Sequence, residues 1–210
     1  MNLDKFRKVI HEDFARNAGV INRTIEQLNL DKTSKILDIG TGLGAMAIIL
    51  ALNGFSVITG EPEIDPERDD YDHYQHGEVY EEDHDHHEFF ESDWRESAKV
   101  IGVENQITYQ YFDAQDLPFP DETFDGIFLY DSLQHIQKKD VALMECIRVL
   151  NLDGVICVIE WNTKSIEEDY KKYGFKIDLI DPREILNQKD VSIDVMPGTY
   201  VNIYIIRKIL

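Results

Sequence analysis

The chain has 210 residues, 43% of them hydrophobic, and a formal net charge of −20. That length suits one α/β domain whose core needs no disulfides, and the two cysteines, Cys146 and Cys157, sit inside apolar runs as small hydrophobes do. No apolar run reaches the roughly 18 residues that span a bilayer, the charged start MNLDKFRKVIHEDF lacks a signal peptide's apolar centre, and an acidic surface repels anionic membranes and nucleic-acid phosphates, so a cytoplasmic protein without membrane or nucleic-acid partners is expected.

Two helical segments open the chain, roughly Leu3 to Phe14 and Ala18 to Leu28, with apolar residues at helical spacing; they form a cap over residues 1–30. A short apolar strand, KILDI, runs straight into GTGLG and the helical AMAIILALNG, which Gly54 closes. FSVITG reads as the second strand. Helical character returns in FFESDWRESAKVIG. Then follow the strands ITYQYF and FDGIFLY, a helix from about Lys139 to Leu150, the strand GVICVIEW, a helix around Ser165 to Tyr173, and the strands FKIDLI and TYVNIYIIRK. Strands alternating with helices predict a single α/β domain over residues 1–210, a doubly wound and mainly parallel sheet with helices on both faces. Only weak helical character joins the last two strands, which predicts an antiparallel closing pair.

Between the second strand and the next helix the pattern breaks. From Glu61 to Glu96 sixteen acidic residues face two arginines, a local net of −14 that leaves −6 for the rest. Residues 62–88 are also rich in histidine: His73 and His76 are spaced HxxH, and His84, His86 and His87 form HDHH. Five imidazoles among carboxylates are ligands suited to a divalent transition metal such as zinc, nickel, copper or iron. A solvated acidic loop is the plainer alternative.

The strand–turn–helix ILDIGTGLGAMAI is the strongest local signal. Gly40, Gly42 and Gly44 allow a tight turn and close approach of a ligand to the backbone, and the next helix begins with free N–H groups. Gly40-x-Gly42-x-x-Ala45 also satisfies a loose dinucleotide fingerprint, so an NAD-dependent oxidoreductase is a competing reading. Asp38, two residues before Gly40, can meet a cationic ligand but would repel a pyrophosphate. Glu61 ends the second strand, where a carboxylate can accept both ribose hydroxyls of either cofactor.

With ILDIGTGLG, FDAQDLPFPDETFDGIFLYDSLQHI and IRVLNLDGVICVIEW in place, the chain resembles the class I S-adenosylmethionine-dependent methyltransferases, in particular their small-molecule subgroup. The resemblance covers most of Ser34 to Trp161, and it implies seven strands with the last antiparallel. It also implies that Asp38 and the turn Gly40–Thr41–Gly42–Gly44 hold the methionine part of S-adenosylmethionine, that Glu61 holds the ribose, and that Asp113 and Ala114 border the adenine. Tyr130 and Asp131, just past the fourth strand, then face the methyl-transfer pocket. His135, on the side where a small-molecule acceptor enters, is the leading base candidate, with Tyr130 and Asp131 beside it. His11 is placed in a lid. Leu117, Pro118 and Phe119 are read as packing and turn residues, and Asp125 as fixing a turn. Relatives go from the second-strand acid directly into a helix, so residues 62–88 count as an insertion, and its root should lie near the ribose. Only WNTKS links the fifth strand to the next helix, where many relatives carry a long acceptor-contacting segment; the pocket must then be shallow or be completed by the N-terminal helices and the insertion. A metal-binding or regulatory protein that keeps this fold without transferring methyl is the alternative. The oligomeric state is left open.

Overall fold

The computed structural model describes residues 6–63, 94–174, 177–186 and 190–209. Within them the helices are α1 (Glu12–Gln27), α2 (Ala45–Leu52), α3 (Trp94–Ile101), α4 (Lys139–Val149), α5 (Thr163–Tyr173) and α6 (Pro182–Ile185). The strands are β1 (Lys35–Ile39), β2 (Ser56–Gly60), β3 (Ile107–Tyr109), β4 (Phe124–Tyr130), β5 (Leu150–Trp161), β6 (Val191–Pro197) and β7 (Val201–Lys208). They form one sheet in the order β3-β2-β1-β4-β5-β7-β6, parallel except for β7, which runs antiparallel to both of its neighbours.

Alternation along the central strands divides the core between the two faces of the sheet. Ile36, Phe128, Cys157, Ile159, Ile203 and Ile205 point to the side covered by α1 and α2. Leu37, Ile127, Leu129, Ile156, Val158 and Tyr204 point to the side covered by α4 through Leu143 and Cys146. Both cysteines are free and fully buried, and burial pushes each thiol up to about 12, so neither is a poised nucleophile. No helix among the described residues is long and apolar enough to cross a membrane.

Two sequence expectations change. The helix break falls at His11 instead of between Phe14 and Ala18: His11 Nδ1 accepts the Asp13 N–H at 3.3 Å, Glu12 and Asp13 follow in the positive first turn, and Asn17 stays helical by donating Nδ2 to the Asp13 carbonyl. The sixth strand is VSIDVMP, whereas residues 177–180 of FKIDLI are irregular. Asp181 caps α6 by accepting the Arg183 N–H, which turns the chain away before a strand can form there.

Side-chain hydrogen bonds brace the strand starts and loops around the site. Asp125 accepts the Lys35 N–H and the Asn151 amide, tying the starts of β1, β4 and β5 together. Arg148 on α4 donates to the carbonyls of Leu117 and Phe119 at 2.9 Å each, and Glu145 accepts the Leu117 N–H, so the loop LPFPD is braced from below. Leu117 is buried and Phe119 stacks edge-on against Phe112 and Phe124, which are packing roles.

Candidate functional site

The sheet order reverses between β1 and β4, and in open α/β sheets the ligand crevice lies at such a point, outside the carboxyl ends of the strands. Three glycines shape the first loop, with φ of +87° at Gly40, +45° at Gly42 and +72° at Gly44. A side chain at Gly40 would run into Ser132 from the β4 loop, and one at Gly44 would stand 2.6 Å from the Cβ of Trp94. Gly42 has nothing within 4 Å of where a Cβ would lie. Two glycines therefore serve close packing, while the middle one leaves its face open to a ligand.

Behind this turn lies a buried polar chain. Thr59 on β2 donates to Asp38 Oδ2 at 2.8 Å, and the Thr59 and Thr41 hydroxyls are 2.9 Å apart. Asp38 is 1% exposed, and its Oδ1 has no hydrogen-bond partner. Burial pushes its carboxyl up to about 7, the Thr59 hydrogen bond works against that, and the Glu61 charge adds to it. A buried acceptor without a donor costs about 1–3 kcal/mol, so this oxygen fits a ligand that brings a donor or a positive charge. Glu61, at the end of β2, accepts the Gly42 N–H at 3.1 Å and so closes the turn from the other side. Acids on both sides suit a sulfonium amino acid and disfavour a pyrophosphate.

The remaining predicted cofactor residues lie along the rim. Asp113 is exposed and both of its carboxylate oxygens accept from Gln115. Ala114 is buried in the cluster with Leu117 and Leu133, which leaves its backbone as the part that can border a ligand.

The second half of the crevice stands at the ends of β4 and β5. Tyr130 is covered by α1: the Phe14 ring is 4.5 Å from it, and its hydroxyl donates to the Asp13 carbonyl at 3.5 Å. Burial pushes its phenol far above the ordinary value, so it stands here as a neutral phenol. Asp131 adopts φ +52°, a strained conformation for a residue with a side chain, and its N–H donates to the Ile159 carbonyl. Gln134 donates to its carboxylate. Burial pushes the Asp131 carboxyl up to about 7, against a lowering hydrogen bond from Trp161. His135 is exposed, in a 3-10 turn (Leu133–His135) beyond Asp131. A carboxyl raised to about 7 suits proton transfer near neutral pH.

Sequence reasoning passed over Glu160. It is 1% exposed at the end of β5, accepts the Leu133 N–H at 2.9 Å, and burial with the neighbouring Asp131 charge pushes its carboxyl well above the usual range. The signal was a lone acid inside GVICVIEW. Such a residue must answer buried donors, and these donors belong to the loop that carries Asp131. His11 caps α1, as described above, and the α1 residues that reach Tyr130 are Phe14 and Asp13. The five histidines of the acidic segment, His73, His76, His84, His86 and His87, lie outside the described residues; among those described, no group of three metal-ligating side chains could hold an ion.

The chain is similar to known proteins. The family model described as "Methyltransferase domain" matches residues 37–158, and a model described as "Ribosomal RNA adenine dimethylase" matches residues 3–59. The ubiquinone/menaquinone biosynthesis C-methyltransferase UbiE of Saccharophagus degradans is 38% identical over 79 residues, which is 36% of this chain and 32% of that protein. The chain thus matches about a third of the length of such curated relatives. Among solved structures, a SAM dependent methyltransferase from Aquifex aeolicus superposes with a TM-score of 0.61 at 16% identity, covering 98% of both chains. The PH0226 protein from Pyrococcus horikoshii OT3 gives 0.65 at 15% identity over 96% of this chain and 93% of that one. These likenesses report the fold, whereas the first family model spans more than half of the sequence and its span contains Asp38, the glycine turn, Glu61 and Asp131: the chain belongs to the methyltransferase-domain family.

Proposed function

We propose that the protein transfers a methyl group from S-adenosylmethionine to a small-molecule acceptor. One observation carries this reading: an open, left-handed glycine turn lies between Glu61 and the buried Asp38, whose second oxygen has no donor. Asp38 and the backbone from Gly40 to Gly44, with Thr41 supporting Asp38 through Thr59, would hold the methionine part of the cofactor; Glu61 would hold the ribose, with Asp113 and the Ala114 backbone at the adenine. When bound, the cofactor supplies an electrophilic sulfonium methyl. The protein then has to align the acceptor, exclude water and hold a proton. Tyr130 and Phe14 form the dry wall. The Asp131 carboxylate takes the proton that a nitrogen, oxygen or carbon acceptor gives up, and Glu160 keeps the Asp131 loop in place. His135 remains a second proton carrier at the mouth of the pocket.

The test is calorimetry followed by transfer. S-adenosylmethionine should bind, and NADH should not displace it. Labelled methyl should then pass to a component of a small-molecule extract. Displacement by NADH would return the glycine turn to the oxidoreductase reading. Binding without methyl incorporation would favour a regulatory protein on this fold.

Two finer expectations belong to the same reading. The histidines of residues 62–88 are proposed to bind a divalent transition metal, a reading carried by their spacing and the surrounding acids alone, and elemental analysis of the purified protein tests it. The protein is also proposed to act in the cytoplasm, away from membranes and nucleic acids, as its acidic surface favours.

A further inference from the structure

Asp38 stands in the middle of the sheet, in register with Thr59 of β2 and Phe128 of β4, and is 1% exposed. A carboxylate buried this deeply needs several donors or a cation to keep its charge. Asp38 has a single donor. The Thr59 hydroxyl donates to Oδ2 at 2.8 Å; since that uses its only proton, the Thr41 hydroxyl, 2.9 Å away, must be the donor in the pair behind it. The chain of hydroxyls therefore ends on Oδ2, and Oδ1 receives nothing.

The described groups around Asp38 bring it no positive charge. By alternation it faces the same side of the sheet as Ile36, where α2 has no ionisable side chain, and the glycine turn has none either. The charge that acts on it is that of Glu61, at the end of β2, which is an acid. Further along, Asp13 and Arg16 of α1 and Tyr130 and Asp131 at the end of β4 act on one another. On the chain's own groups alone, a proton on Oδ1 is what relieves the buried charge. Burial, opposed by the Thr59 hydrogen bond and aided by Glu61, accordingly raises the carboxyl to about 7. A ligand that brings an ammonium or sulfonium supplies the missing charge and makes that proton redundant.

We propose that the cofactor site is gated by a proton: the positively charged methionine part of S-adenosylmethionine binds by expelling a proton from Asp38 Oδ1 to solvent, so that cofactor affinity falls in acid. The identity of the cation rests on the methyltransferase reading. Asp38 is protonated below about 7 in the protein alone and ionised in the complex, so affinity is at its plateau above about 7 and falls about tenfold per pH unit below it. Calorimetric titration of the full chain with S-adenosylmethionine, in two buffers of equal pH and ionic strength but different ionisation enthalpy, counts the proton. About 0.9 proton per cofactor should be released at pH 6 and about half a proton at pH 7, with affinity roughly eightfold higher at pH 7.5 than at pH 6. 5′-Methylthioadenosine, which carries neither the sulfonium nor the amino acid, should release none. Asp38→Asn should bind S-adenosylmethionine more weakly and without proton release at pH 6. Thr59→Val keeps the acid but removes the donor that favours its charged form, and should move the rise in affinity to higher pH; it carries the test if the asparagine variant does not fold. Binding of S-adenosylmethionine by the wild type without proton release, equal release by both ligands, or a wild-type proton count in Asp38→Asn overturns the gate and leaves the methyltransferase reading standing. No binding of S-adenosylmethionine at any pH from 6 to 8 overturns the methyltransferase reading, and the gate falls with it.

Discussion

The two halves of the crevice are built on opposite principles. At the ends of β1 and β2 the decisive features are backbone: left-handed glycines, an open face at Gly42, and a carboxylate anchored by a threonine from the adjacent strand. At the ends of β4 and β5 they are side chains, Asp131 and Glu160, whose carboxyls burial pushes up. On the proposed reading, the backbone cradle would hold the cofactor, while the acids with raised proton affinity would serve the chemistry at the acceptor. The contrast predicts separable defects: changes in the first half should cost cofactor affinity, and changes in the second should cost turnover.

The sharpest separation should come from Asp131→Asn. If the Asp131 carboxylate takes the acceptor's proton, its loss should lower kcat by about 10²–10⁴-fold while S-adenosylmethionine affinity stays within twofold. A large drop in cofactor affinity together with unchanged turnover would reverse the assignment of the two halves.

The next largest effect is on stability against pH. The Asp38 carboxyl titrates at about 7 in the folded chain against an ordinary 3.8, so the folded state binds the proton more tightly. Its contribution is therefore fully present below about 3.8 and is lost as pH rises through about 7. Three units correspond to about 4 kcal/mol as an upper bound. Urea unfolding at pH 5 and pH 8 should show this decline in the wild type and a flatter profile in Asp38→Asn, which keeps an acceptor for Thr59. The same variant should bind S-adenosylmethionine at least tenfold more weakly. Parallel pH profiles for the two proteins would show that the Asp38 carboxyl is not the titrating group.

Gly40 joins the two halves, because a side chain there meets Ser132 of the β4 loop as well as the φ +87° penalty. Gly40→Ala should cost about 2–3 kcal/mol in urea unfolding. Gly42→Ala faces only its backbone penalty, with open space around it, and should cost about 1–2 kcal/mol. Equal costs would mean that Ser132 yields freely and that the halves are mechanically independent.

The cradle was legible in the sequence because its information is local. DIGTGLG places an acid and three glycines between a strand and a helix, and the acid at Glu61 follows the next strand directly. The fold was legible for the same reason, since apolar strands alternate with helices from Lys35 to Trp161. What escaped depends on contacts distant in sequence. Glu160 acquires its role only when β5 lies beside β4 and the Leu133 N–H comes within reach, 27 residues away. Thr59 becomes part of the site only across 21 residues, through Asp38. FKIDLI carries strand-like residues, but the Asp181 cap turns the chain and VSIDVMP takes the edge of the sheet instead. His135 attracted attention by its residue type, and the 3-10 turn leaves it exposed while the less conspicuous Asp131 is half-buried.

Glu160→Gln is the smallest change proposed and the finest probe of the second half. Glutamine keeps a carbonyl oxygen that can accept the Leu133 N–H, so the loop after β4 should hold its shape and stability should change by less than about 1 kcal/mol. The Asp131 charge is one of the causes that raise the Glu160 carboxyl, whereas Asp131 itself is raised by its own burial and by Asp13 and Asp169. Glu160 is therefore neutral while Asp131 titrates, and its replacement by neutral glutamine should leave the acidic limb of the kcat profile in place and change kcat at neutral pH by no more than about tenfold. Glu160→Ala removes the acceptor as well, leaves the Leu133 N–H buried without a partner at a cost of about 1–3 kcal/mol, and should lower kcat at every pH. A glutamine variant whose acidic limb moves to lower pH would show instead that Glu160 is charged when Asp131 titrates, and an alanine variant that matches the wild type in stability and kcat would remove Glu160 from the support of the loop.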